Sequence, residues 1–191
     1  MSHFFAYISK MKWIRRWGLM KNTAEENIME HSWQVAVIAH GLAVIKNEVF
    51  HGSVNPEHIA MLALYHETGE VITGDVATPI KYFNPEVKNA IGDLEHLAKK
   101  RIYQMLPEEL QGAYTPLIFP DESGEEYQIV KAADRICAYL KCVEELKWGN
   151  REFEKAEASI RRDIEKIHRE EVKYFMSHFA QSFSLTLDEL N

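Results

Sequence analysis

Apolar residues recur at three- and four-residue spacing along most of the chain, the pattern of helices that bury one face. A clear example lies in residues 27–47, where an apolar stripe runs from Val35 to Ile45. His31 begins the same stripe, one turn before Val35. The spacing predicts a helix with His31 on its core-facing side. Taken alone, a hydrogen-bonded structural histidine is the commoner interpretation of such a residue, and a metal ligand is the alternative.

A second helical pattern begins at Pro56. Asn55 can accept a hydrogen bond from a backbone N–H, and proline at the first helical position loses no bond. Ile59 then starts an apolar stripe on which His66 and Glu70 also fall, four residues apart. Because an isolated ionisable side chain is costly to bury, we expect His66 and Glu70 to be paired, hydrogen-bonded or bound to a metal.

The same spacing predicts helices in most of the remaining chain. No stretch alternates as a strand does and no repeat is present, so the predicted fold class is all-α. Residues 115–124 are expected to be irregular. One further helix is predicted from Phe4 to Gly18, another over residues 85–105, a third that begins at Pro107, and a fourth over residues 125–148. Residues 153–179 are predicted to form one long charged helix that serves packing or dimerisation.

A loop is predicted where the helix that begins at Pro56 gives way at Thr73, Gly74 and Asp75, just before Thr78. Hydroxyl, carboxylate and freed backbone N–H groups in such a loop would suit a sugar phosphate. Ordinary turn chemistry explains the same residues equally well.

Asp134 is a third polar residue placed on a buried face. It lies in the 125–148 pattern, directly after Ala132 and Ala133 and before Ile136. A carboxylate in these surroundings needs a partner to offset its burial. Three separate helices therefore each offer candidate ligands.

Composition narrows the class of protein. The 191 residues are 46% apolar, enough for one domain with a substantial core. The chain has neither a long uncharged apolar run nor a charged-then-apolar leader, so we expect no membrane span, no secretory signal and a cytoplasmic location. Cys137 and Cys142 are five residues apart in a helical segment, a spacing that favours buried free thiols over a zinc pair or a disulfide.

The formal net charge of −7 argues against a surface that binds nucleic-acid polymers. Any anionic substrate must then be met by local positive charge or by a metal. Arg15 and Arg16 are candidates for a phosphate clamp, although favourable placement near a helix C-terminus also explains them.

Two imidazoles and two carboxylates, from His31, His66, Glu67 and Asp134, form a mixed nitrogen and oxygen set. Such a set suits a first-row divalent ion such as Co²⁺, Mn²⁺, Fe²⁺, Ni²⁺ or Zn²⁺. A helical bundle can assemble this kind of site in its core from side chains on facing helices.

The order of these residues resembles the H…HD…D signature of the HD-domain metal-dependent phosphohydrolases. Within that group, nearly the whole chain is similar to the bacterial 5′-deoxynucleotidases of the YfbR type. The motifs that carry this resemblance are Ser2-His3-Phe4-Phe5-Ala6, Arg16-Trp17, Glu30-His31-Ser32, Tyr65-His66 with Glu70, Thr73-Gly74-Asp75 with Thr78-Pro79, and Ala133-Asp134 through Glu145-Leu146.

The resemblance implies a single HD domain over residues 1–191, an all-α bundle with a metal site in its core, and a homodimer. It also implies a phosphoric monoester hydrolase that converts 2′-deoxyribonucleoside 5′-monophosphates to deoxynucleoside and phosphate. One divalent transition metal, Co²⁺, Mn²⁺ or similar, would be the cofactor. Matched by position to the family, the metal ligands would be His31, His66, Glu67 and Asp134. Glu70 would be the general acid or base, and Arg16 would orient the phosphate. The substrate contacts would come from Arg16, Trp17, His31, Glu67, Asp75, Val76, Ala77 and Thr78.

Two residues depart from the family pattern. Glu67 stands where the family has aspartate, and its extra methylene moves the carboxylate by about 1.5 Å on a fixed backbone. Ala77 stands where the family commonly has proline, which would loosen the loop. Two alternatives therefore stay open: a catalytically impaired nucleotide-binding protein of the HD fold, and an HD phosphohydrolase that acts on another nucleotide.

Overall fold

The computed structural model describes all 191 residues and is built from helices. The only β-type pairing is one antiparallel bridge between Arg15 and Asn27, so the all-α prediction is confirmed. The α-helices are α1 (Phe4–Ile8), α2 (Ile28–Phe50), α3 (Pro56–Tyr65), α4 (Glu70–Thr73), α5 (Thr78–Lys81), α6 (Pro85–Tyr103), α7 (Glu108–Ile118), α8 (Glu125–Lys147), α9 (Glu154–Glu165) and α10 (Glu170–His178), and short 3₁₀ helices cover Ser9–Trp13, Arg151–Phe153, Ala180–Ser184 and Leu187–Leu190.

The chain divides into two compact units. The first comprises Met1–Lys21, Glu25–Trp33 and Leu64–Asp121. The second comprises Asn22–Ala24, Gln34–Ala63 and Glu122–Asn191. The single domain over residues 1–191 stays a prediction.

An aromatic and aliphatic cluster forms the core of the first unit. Phe4 is fully buried with Ile102 and Leu106, and its ring meets the ring of Tyr114 edge-on with centroids 5.2 Å apart. Beside this cluster, α4 packs against α6. Gly69 allows that approach, because a Cβ there would lie 3.2 Å from the carbonyl oxygen of Glu95.

A buried ion pair marks the second unit. Lys141 and Glu145 lie one turn apart on α8 and pair directly, with side chains 5% and 1% exposed. The Glu145 carboxylate also accepts hydrogen bonds from Thr23 and Asn150. Burial therefore does not leave the charge uncompensated. Elsewhere on α8, Cys137 and Cys142 are buried and form no disulfide, as predicted.

Most predicted helices are confirmed, but several of their boundaries were wrong. The first helix does not reach Gly18: it becomes 3₁₀ at Ser9, and Ile14 is extended because its carbonyl accepts from Ile28 N–H. Residues 115–118 are not irregular, since α7 continues through Pro116 to Ile118.

The long helix predicted over residues 153–179 is two helices. α9 ends at Glu165 and α10 starts at Glu170. Between them the chain turns tightly, with Ile167 N–H bonded to Ile164 O and Arg169 N–H bonded to Ile167 O. Apolar spacing continues across this turn, which is why the sequence pattern did not reveal it.

One helix, α2, is long and apolar enough to cross a membrane by length and composition alone. It carries fully buried residues, including His31, Val35 and Leu42. The buried core helix of a soluble protein meets the same two criteria, so α2 is weak evidence for a membrane span.

Candidate metal centre

The central feature of the site is a turn that interrupts the predicted helix. α3 begins at Pro56 and is capped by Asn55, as expected, but it ends at Tyr65 rather than near Thr73. Thr68 closes the turn, because both its N–H and its hydroxyl donate to Tyr65 O, at 3.1 and 2.7 Å. α4 then starts at Glu70.

This turn brings two adjacent side chains together. On a regular helix, neighbouring residues point in different directions. Here His66 Nε2 lies 3.0 Å from Glu67 Oε1, and the two side chains are 2% and 20% exposed. The imidazole of His66 and the carboxylate of Glu67 therefore lie side by side, largely shielded from solvent.

His31 reaches the same region from the start of α2. The helix begins at Ile28 because Asn27 Oδ1 accepts from the N–H groups of Met29 and Glu30, both at 3.0 Å. His31 therefore lies in the first turn. It is fully buried, and its ring centroid is 5.5 Å from that of His66.

The four predicted ligands form one group. A ligand atom from each of His31, His66, Glu67 and Asp134 lies within 4.8 Å of the others, an arrangement that could hold a metal ion. Two buried imidazoles with two half-buried carboxylates suit a first-row divalent cation.

Further carboxyl groups support the fit of a cation to this region. Burial, together with the neighbouring Glu67 carboxylate, raises the pKa of Glu70 far above its usual range. Burial likewise raises the pKa of Asp75, and the Arg16 guanidinium opposes that shift. Such crowding of buried acids is costly unless positive charge offsets it, and a divalent ion would supply that charge.

Arg16 and Trp17 lie beside these acids, and their contact with a substrate stays a prediction. The Trp17 backbone N–H donates to Asp75, and Arg16 interacts electrostatically with both Asp75 and Glu70. Trp17 has a φ of +59°, in the left-handed region that non-glycine residues rarely adopt.

The predicted loop is confirmed between α4 and α5. Gly74 has a φ of +72°, which glycine adopts without steric cost, and turns the chain after Thr73. Asp75, Val76 and Ala77 are half-buried, whereas Thr78 is exposed at the start of α5.

Two residues near the site were missed by sequence reasoning. Glu26 approaches Arg16, Trp17 and His31 with one carboxylate. Lys81 pairs with Glu95 at 2.6 Å and so ties α5 to α6. An acid before a helix and a lysine in a short helix are both common, so the sequence carried no specific signal for either residue.

Comparison with known families and proteins agrees with this geometry. The family model described as 5′-deoxynucleotidase YfbR-like matches residues 3–183. A 5′-deoxynucleotidase of Vibrio cholerae is 52% identical, covering 100% of this chain and 98% of that protein. A 5′-deoxynucleotidase of Erwinia tasmaniensis is 50% identical, covering 100% and 96%.

Solved structures of low identity share the fold. An HD-domain phosphohydrolase from Listeria innocua superposes with a TM-score of 0.83 at 24% identity, covering 95% of this chain and 88% of that one. A cyanophage S-2L HD phosphohydrolase, bound to dA and one catalytic Zn²⁺ ion, has a TM-score of 0.62 at 19% identity, covering 93% and 96%.

Proposed function

Because the chain belongs to the 5′-deoxynucleotidase YfbR-like family, we propose that it hydrolyses 2′-deoxyribonucleoside 5′-monophosphates to deoxynucleoside and phosphate. The observation that carries this proposal is the group of four ligand atoms within 4.8 Å of one another, set among further acids. The chain is thus a metal-dependent phosphoric monoester hydrolase.

The metal would be held by His31, His66, Glu67 and Asp134. When bound, one divalent transition metal, Co²⁺, Mn²⁺ or similar, supplies Lewis-acid polarisation of the phosphate ester and acidification of water. The zinc-bound HD phosphohydrolase among the structural neighbours supports a transition metal over Mg²⁺. Two imidazole ligands favour the same choice, because Mg²⁺ prefers oxygen.

The residues around the proposed ligands bind the substrate and transfer a proton. Arg16 offers a fixed fork of N–H donors that matches a phosphate group and stabilises charge as the ester bond breaks. Burial raises the pKa of Glu70 and so favours the form that carries a proton, which the departing 5′-oxygen can receive. Trp17 and residues 75–78 bind and orient the deoxyribose and its phosphate.

We also propose the remaining features implied by the family resemblance. The protein acts in the cytoplasm as a homodimer and engages neither nucleic-acid polymers nor membranes. The formal net charge of −7 supports the exclusion of polymers, because duplex binding requires many phosphate-neutralising cations.

The proximity of Glu67 to His66 favours an active enzyme over an impaired binding protein. Although glutamate replaces the family's aspartate, its Oε1 lies 3.0 Å from His66 Nε2 and joins the ligand group. The longer side chain therefore still presents an oxygen to the site.

Phosphate release from dAMP, AMP and dATP tests the proposal. Metal-stripped protein is supplied in turn with Co²⁺, Mn²⁺, Zn²⁺ and Mg²⁺. We expect release from dAMP, little from AMP and none without metal. His31→Ala should abolish release, whereas His40→Ala, a histidine on the same helix outside the site, should retain it.

Two results would overturn the proposal in different directions. Release from dATP rather than dAMP would identify a phosphohydrolase of another nucleotide class. No phosphate release with any of the metals, combined with measurable dAMP binding, would identify a nucleotide-binding protein.

A further inference from the structure

One carboxylate faces three side chains of the proposed site. Glu26 Oε2 accepts a hydrogen bond from Trp17 Nε1 at 3.1 Å and lies 3.5 Å from Arg16 Nη1. Glu26 Oε1 lies 3.8 Å from His31 Nδ1. The family resemblance assigned roles to Arg16, Trp17 and His31 but none to Glu26.

The backbone fixes Glu26 relative to Arg16. Arg16 N–H donates to Glu26 O at 2.9 Å, next to the bridge between Arg15 and Asn27. Asn27 in turn caps α2, which carries His31 in its first turn. Glu26 is therefore held between two elements that are themselves tied together.

Burial strengthens the interaction between Glu26 and Arg16. Their side chains are 13% and 15% exposed, so water screens the two charges only weakly. A guanidinium carries five N–H donors, and Glu26 approaches through Nη1, so this one carboxylate does not exhaust the donors that a phosphate would use.

The conformation of Trp17 also depends on Glu26. Its positive φ of +59° is unfavourable for a large side chain and must be held by its surroundings. The hydrogen bond from its indole to Glu26 is one contact that holds it.

We propose that Glu26 is a positioning residue, which orients the Arg16 guanidinium and the Trp17 indole for the phosphate and sugar of the substrate. This inference rests on the proposed function and adds to it a residue that acts through Arg16. Glu26 itself does not touch the substrate.

The substitution Glu26→Gln tests the inference, since it keeps the side-chain shape and removes the charge. Glu25→Gln is the matched control, because Glu25 precedes Glu26 and pairs with Arg15 on the surface, where the two side chains are 64% and 68% exposed. We expect Glu26→Gln to raise the KM for dAMP about tenfold, because the amide keeps an acceptor oxygen for Trp17 but has no charge to pair with Arg16. The value of kcat should change much less, and Glu25→Gln should change neither constant.

A second background separates positioning from a general effect on structure. In Arg16→Ala, the substitution Glu26→Gln should add little to the KM, because its route of action has been removed. Glu26→Asp, which keeps the charge but retracts it by about 1.5 Å, should give an intermediate KM. An equal factor in both backgrounds, or an unchanged KM in Glu26→Gln, would overturn the inference.

Binding of inorganic phosphate to the metal-loaded protein keeps this test separate from turnover. Calorimetric titration should show about tenfold weaker binding for Glu26→Gln than for Glu25→Gln. If the wild type binds phosphate in this Glu26-dependent way but hydrolyses no nucleotide, the proposed function fails and the role of Glu26 stands. If dAMP is hydrolysed and phosphate binds both variants equally, the role of Glu26 is rejected and the proposed function is kept.

Discussion

His66 Nε2 lies 3.0 Å from Oε1 of Glu67, the next residue in the chain. Neighbouring side chains on a continuous helix cannot meet in this way. They meet here because α3 ends at Tyr65 and Thr68 closes a turn. The interruption of the helix is thus what brings this adjacent histidine and acid together.

The length of the side chain at position 67 should tune metal affinity. Glu67→Asp restores the residue type of the family and withdraws the carboxylate by about 1.5 Å. We expect it to keep or raise phosphate release from dAMP and to change the order of metals that activate. Glu67→Gln should lower metal affinity by about tenfold or more, because a neutral amide binds divalent cations poorly. Metal titration with release of phosphate as the readout measures both, and equal affinities in the two variants would remove Glu67 from the ligand set.

Loss of the Glu70 proton should slow the chemical step. Glu70→Gln keeps the shape but cannot transfer a proton, so we expect kcat to fall by about 100-fold or more with little change in metal affinity. Glu57→Gln, an exposed acid in the first turn of α3, is the control and should behave as wild type. A kcat in Glu70→Gln within twofold of wild type would rule out general acid or base work by Glu70.

The loop between α4 and α5 can be stiffened at one position. Ala77 has a φ of −53° and a ψ of 134°, which proline adopts readily, and its N–H makes no hydrogen bond. Ala77→Pro should therefore stabilise the fold by about 0.4–1 kcal/mol, chiefly by restricting the unfolded chain. Thermal unfolding measures this gain. A loss of stability would mean that the preceding residue, Val76, cannot take the extended conformation that proline requires.

Acid should weaken the fold through Glu145. Burial alone would raise the pKa of this carboxyl, but hydrogen bonds from Lys141, Thr23 and Asn150 outweigh it and lower the pKa to about 2. A lowered pKa stabilises the folded state fully above the unfolded value of 4.5, and this stabilisation is lost as the pH falls from 4.5 towards 2. Its size is about 3 kcal/mol.

Removing the charge at Glu145 should cost stability at neutral pH. Glu145→Gln leaves the Lys141 ammonium buried without its counter-charge, and we expect a loss of about 3–5 kcal/mol in the free energy of unfolding. Urea unfolding at pH 7 and at pH 3 measures the effect, and the difference between wild type and variant should shrink at the lower pH. Glu154→Gln, which breaks an exposed pair with Arg151, should have no measurable effect at either pH.

The sequence by itself determined the class of fold, the identity of most helices and the four residues of the candidate metal group. Apolar periodicity and helix-start residues such as Asn55 act locally, and a polar residue on an apolar stripe is visible without coordinates. That is why His31, His66 and Asp134 were found.

Only the tertiary structure decided how these residues meet. The turn after Tyr65, the break between α9 and α10 and the extended backbone at Ile14 all depend on hydrogen bonds that apolar spacing does not encode. Glu26 stayed hidden for the same reason. Its partner Arg16 is ten residues away, and they meet because two short backbone segments pair. Spacing predicts which face of a helix is buried, whereas contacts across the fold determine which charged groups share that buried space.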